Sequence, residues 1–135
     1  MTEQQFDEIF DKTIGHLKFL KDAKAKDYAS QQDRLHNFKM AAQLQGTSPL
    51  AALKGMMSKQ EVCILDMIYN VDSYDPEFID RNIDDVMMYL VLLKALILER
   101  NELIEKRKAA VNGATNQAPE AFKAQDPKMH ISKKV

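Results

Sequence analysis

The stretch from Asp75 to Arg100, DPEFIDRNIDDVMMYLVLLKALILER, limits what this chain can fold into more than any other. Asp75 is a natural N-cap, Pro76 suits the first helical turn, and Glu77 sits where the helix dipole is positive. From Val86 to Leu98 the sequence is apolar all round except at Lys94. A helix of that kind belongs in the middle of a bundle. Its first half carries Glu77, Asp80, Asp84 and Asp85. At roughly 100° per residue, Glu77, Asp80 and Asp84 share one face, and Asp85 lies off it.

The rest of the chain reads as helices separated by turn signals. Thr2 with Gln5 resembles a capping box, and Phe6, Ile9, Phe10, Ile14, Leu17 and Leu20 recur at helical spacing, so a first helix runs from about residue 3 to the mid-twenties. Asp27 to Asp33 is polar and expected to be irregular. A short helix from Arg34 to Leu44 follows and stops at Gly46. Ser48-Pro49 restarts the chain, and the next helix continues to Tyr69 or Asn70. Its apolar stripe is broken by Gln60 and Glu61, polar residues where the pattern asks for core. After a turn at Asn70 to Asp75, the last helix extends to about Val111. No segment alternates like a strand. The expected architecture is therefore all-α, a bundle of four main helices, with one helical domain over 1–111 and a mobile tail over 112–135.

Composition excludes several classes. The formal net charge of −1 gives no electrostatic reason for sequence-independent nucleic-acid binding. The single cysteine, Cys63, excludes an internal disulfide framework and fits a reducing compartment. The start of the chain has no basic segment followed by an apolar one, and the apolar run at 86–98 is short of the roughly 20 residues a membrane span needs. A cytoplasmic protein without membrane contact is expected. The apolar flank of the last helix exceeds what one neighbour covers, which points to a homodimer or homotetramer through the third and fourth helices.

Chemistry is concentrated in three places. Glu77, Asp80 and Asp84 offer oxygen ligands to a hard divalent cation, which is often held by carboxylates together with substrate phosphates; the alternative is a solvated helix start stabilised by the dipole. Glu61 joins that cluster if the third and fourth helices are antiparallel neighbours, and otherwise reaches water at the edge of its stripe. KAKDYA (24–29) and DRLHNF (33–38) place charged and aromatic residues between helices, with Tyr28 or Phe38 as a platform for a base; core packing is the preferred role of Phe38. His16, His36 and His130 lack metal-ligand spacing, and no phosphate-binding glycine loop is present.

Taken together, KAKDYA, DRLHNF, the GMMSKQE run and EFIDRNIDDVMMYLVLL resemble a phage-associated helical family described as nucleotide modification associated, or MazG-like. The resemblance spans about residues 5 to 100. It implies an all-α NTP pyrophosphohydrolase-like fold, a location in the host cytoplasm, and Mg²⁺ (or Mn²⁺) as cofactor. The family's K-x-x-D-Y element is carried by Lys24, Asp27 and Tyr28, and its lysine before the acidic helix by Lys59. Aligned on Tyr89, Glu77 and Asp85 fall on the first glutamate and last aspartate of the acidic helix. Arg81 stands in place of its middle aspartate and Met88 in place of its asparagine. Of the wider superfamily's two metal-holding patterns, Glu77-x-x-Asp80 fits E-x-x-D, whereas E-E-x-x-E has no counterpart beyond Glu61 and Asp66.

Two functions are consistent with these residues. In the first, a Mg²⁺-dependent nucleotide phosphohydrolase, Glu61, Glu77, Asp80 and Asp84 hold the metal and Glu61 acts in catalysis. Lys59 then contacts phosphate, and Asp27, Tyr28 and Asn37 bind the remainder of a nucleotide or other phosphorylated small molecule. In the second, the same scaffold binds a nucleotide without turnover, or serves as a helical assembly module.

Overall fold

Helix boundaries follow from short-range hydrogen bonds that the sequence specifies. The computed structural model describes residues 1–28 and 32–115 of the chain. Thr2 and Gln5 form a reciprocal capping box: the Thr2 N–H donates to Gln5 Oε1 at 2.8 Å and the Gln5 N–H to Thr2 Oγ1 at 3.2 Å. Helix α1 then runs Glu3–Tyr28. Asp33 Oδ1 accepts the Leu35 N–H at 2.9 Å and starts the turn into α2, His36–Gln45. Gly46 ends α2 in the left-handed region, at φ 63°, where glycine carries no Cβ penalty, and the Thr47 N–H closes back on the Ala42 carbonyl at 2.9 Å.

Ser48 caps α3, Pro49–Tyr69, its Oγ accepting the Ala51 N–H at 3.2 Å, with Pro49 in the first turn. A single 3₁₀ turn, Val71–Ser73, leads to Asp75, whose Oδ1 accepts the Phe78 N–H at 2.9 Å. Helix α4 runs Pro76–Thr115. Four α-helices and no β-strand make up the described residues, an all-α bundle, and no helix among them is long and apolar enough to cross a membrane. The 116–135 part of the expected tail lies outside the described residues.

Residues Met1–Asn101 form one compact unit, and the packing described below belongs to it. Its core joins Leu35 and Phe38, Leu53 and Met57 of α3, and Leu96 of α4, flanked by Leu50, Tyr89, Leu92 and Leu93. Phe38 is thus a core residue, as its position suggests. On α4, Asp84, Met88 and Leu96 are buried, whereas Leu90, Val91, Ile97 and Leu98 are exposed. The expectation that α4 is the most buried helix is therefore corrected. Four residues of α3 are buried (Ala52, Leu53, Met57 and Met67), against three of α4 (Asp84, Met88 and Leu96).

One polar knot ties these elements together. Lys39 Nζ of α2 donates to Asp33 Oδ2 at 2.8 Å and to Glu99 Oε1 of α4 at 2.7 Å. The hydrogen bond from Lys39, then that from the Leu35 N–H, holds the Asp33 carboxyl below the usual carboxylate range. Its bonds to Asp33 and then Glu99 hold the Lys39 ammonium above the usual lysine range.

Candidate functional site

The acids of α4 face α1. Lys12 and His16 lie four residues apart on α1, as Asp80 and Asp84 do on α4, so two rungs match across the helices. Lys12 Nζ donates to Asp80 Oδ2 at 2.7 Å, and His16 Nδ1 is hydrogen-bonded to Asp84 Oδ2. Asp84 is 5% exposed, the one buried charged residue among those described. Lys12 and Asp80 are both exposed. The hydrogen bond to Asp80, then the charges of Asp80 and Asp84, raise the Lys12 pKa, against a smaller opposing effect of desolvation. These four side chains, with Glu77, Arg81, Ile9 and Thr13, line a cavity of about 370 Å³.

Glu77, Asp80 and Asp84 therefore do come together, as the i, i+3, i+7 spacing requires. Glu61 does not line that cavity; its carboxylate is paired with Lys54 two turns back along α3. Asp66 and Lys59 are exposed. The side chains of Asp27 and Tyr28 lie outside the described residues. Gln60, the other polar interruption of the α3 stripe, keeps its Oε1 buried without a hydrogen-bond partner.

Hard oxygen donors suit Mg²⁺ chemically. Asp80 and Asp84 already meet Lys12 and His16, Arg81 adds a further cation to the lining, and among the described residues no three acids, histidines or cysteines converge as a metal would need.

A second cavity, of about 420 Å³, has a different lining: Arg34, Asn37, Phe38, Met56, Met88, Tyr89 and Leu92. Its walls are mostly apolar with a few polar groups, from Arg34, Asn37 and Tyr89, the usual make-up of a small-molecule site. Arg34 Nη2 donates to the Lys21 carbonyl at 2.9 Å, which ties the guanidinium to α1. Its Nη1 is sealed from water and has no hydrogen-bond partner among the described residues. Of the expected binding residues, Asn37 is in this cavity. Lys12, His16, Arg34 and Arg81 were not among the expected site residues. The matched four-residue spacing of Lys12/His16 with Asp80/Asp84 is the signal by which two of them could have been found.

No family model, curated protein or solved structure matches this chain.

Proposed function

We propose that this protein binds a nucleotide, or a similar planar phosphorylated molecule, in the cavity between Arg34, Asn37, Phe38 and Tyr89, without turning it over. The observation that carries this reading is Arg34. A buried guanidinium nitrogen without an acceptor costs free energy, and an anionic ligand supplies the acceptor. To reach Nη1, the ligand must displace a neighbouring side chain, and Met56, unbranched and partly exposed, is the adaptable one in the lining. Phe38, Tyr89 and Leu92 supply apolar surface for a base, and the Asn37 amide both donates and accepts along its edge.

The metal-dependent phosphohydrolase is the second reading, favoured by the gathering of Glu77, Asp80 and Asp84 in one cavity. Titration calorimetry with nucleoside mono-, di- and triphosphates, with and without Mg²⁺, separates the two when phosphate and pyrophosphate release is followed in parallel. The binding reading expects heat without product, weakened about tenfold or more by Arg34→Gln, since a hydrogen bond to a charged group contributes about 1.5–3 kcal/mol. No heat at millimolar nucleotide refutes it. Mg²⁺-dependent product formation that Asp84→Asn removes establishes the hydrolase instead.

A further inference from the structure

Helix α3 turns Leu53, Met57 and Met67 inward and carries a second pattern on the side away from them. Ala51, Gly55, Ser58, Val62, Leu65 and Tyr69 follow one another in alternating steps of four and three, within about 40° of one line along the helix. No charged residue interrupts the series. Ser58 is half-buried and the other five are exposed, Tyr69 by 81%. A Cβ built on Gly55 would meet nothing within 4 Å, so the room above it is open. All of α3 lies within the unit Met1–Asn101.

The series is graded. Its first three members are small and its last three are large, and the two halves lie symmetrically about position 60. We propose that this face packs against the same face of a second copy of the chain, antiparallel, with the two-fold axis at the level of position 60. Tyr69 then meets the partner's Ala51, Leu65 the partner's Gly55, and Val62 the partner's Ser58. Every layer sets a large side chain against a small one, as close packing of two helices requires. A parallel pair instead stacks Tyr69 on Tyr69 at one end and leaves Gly55 opposite Gly55 towards the other. The Ser58 hydroxyl donates to the Lys54 carbonyl at 2.8 Å, so enclosing it leaves no donor unmet.

Charge selects the same direction. Lys54 and Glu61 flank the series on one side, Lys59 and Asp66 on the other. A parallel pair joins unlike flanks, bringing Lys54 to the partner's Lys59 and Glu61 to the partner's Asp66, like charge to like throughout. An antiparallel pair joins each flank to itself. Helical side chains lean toward their own N-terminus, so Lys59 and the partner's Asp66 lean together while the two copies of Lys59 lean apart. On the other flank Glu61 comes beside the partner's Glu61, and each is already paired with Lys54 of its own chain. This interface is independent of the ligand proposed above, because none of its residues lines the Arg34 cavity.

Sedimentation equilibrium of the full chain at tens of micromolar should give twice the chain mass of 15.5 kDa. Gly55→Leu adds bulk where the chain's own side chains leave room, so it should keep the parent's helical content and weaken association about 100-fold. Adding Leu65→Ala exchanges large for small within the same layer and should restore much of the dimer. Direction is read by cysteine pairing in a Cys63→Ser background. There, a mixture of Ala51→Cys and Tyr69→Cys chains should form a mixed disulfide, while Tyr69→Cys alone should not join to itself. A monodisperse 15.5 kDa species overturns the proposal. So does a dimer that Gly55→Leu leaves intact, a failure of the mixed disulfide to form, or ready self-linking of Tyr69→Cys.

Discussion

Helix α4 meets α3 through hydrocarbon and α1 through charge. Toward α3 it presents Leu96 beside Leu53, which is 1% exposed, in a core without a polar atom among its five central side chains. Toward α1 it presents Asp80 and Asp84 to Lys12 and His16. The difference teaches how one helix divides its work. Apolar burial is non-directional and carries most of the stability, whereas the charged rungs contribute less but set which stretch of α1 lies beside which stretch of α4.

Deleting core volume should have the largest effect. Leu53→Ala is expected to lower unfolding free energy by about 2–5 kcal/mol, read from urea denaturation, because it removes a fully enclosed side chain and leaves a cavity. The charged contact should respond less. His16→Ala leaves the buried Asp84 carboxylate without the imidazole, at a cost of about 1–3 kcal/mol. Replacing both partners together, His16→Leu with Asp84→Leu, should recover most of that loss, since no unpaired polar group remains. A His16→Ala cost matching that of Leu53→Ala would break the distinction between the two contacts.

The knot at Lys39 sharpens it through pH. The folded Asp33 carboxyl lies below its unfolded value, so its contribution is present above about pH 3.9 and is lost as pH falls through the lower folded value. Lys39 behaves in the opposite sense. Its contribution is present below about pH 10.4 and is lost as pH rises through the higher folded value. Melting temperature across an acid series should therefore fall less steeply in Asp33→Asn than in the parent. An identical slope would assign the acid sensitivity elsewhere. The smallest effect is expected of Lys12→Ala, whose partner is exposed: an unchanged denaturation midpoint in moderate salt.

Helix boundaries were legible because each is decided within three or four residues. Thr2 with Gln5, Gly46, Ser48-Pro49 and Asp75-Pro76 all act where the sequence places them. The common face of Glu77, Asp80 and Asp84 was legible for the same reason, since it follows from helical periodicity alone. What that face meets was not. The apolar pattern pointed toward α3 and Glu61, yet the cations that meet the acids come from α1, 68 residues earlier in the chain. The role of Arg34 was equally hidden, because a guanidinium nitrogen without an acceptor among the described residues is a property of its surroundings and not of its neighbours in sequence.

By itself, then, the sequence determined four helices, their caps and the acidic face of α4. Those features depend on backbone hydrogen bonds and on a period near 3.6, both local. Tertiary structure alone decided that the acids are answered by Lys12 and His16, that Glu61 turns to Lys54, and that the larger cavity forms beside Arg34. Many pairings of four amphipathic helices bury similar apolar area, because hydrophobic attraction has no direction. The choice among them comes from side-chain volume and charge matched over long separations, which no window of the sequence contains.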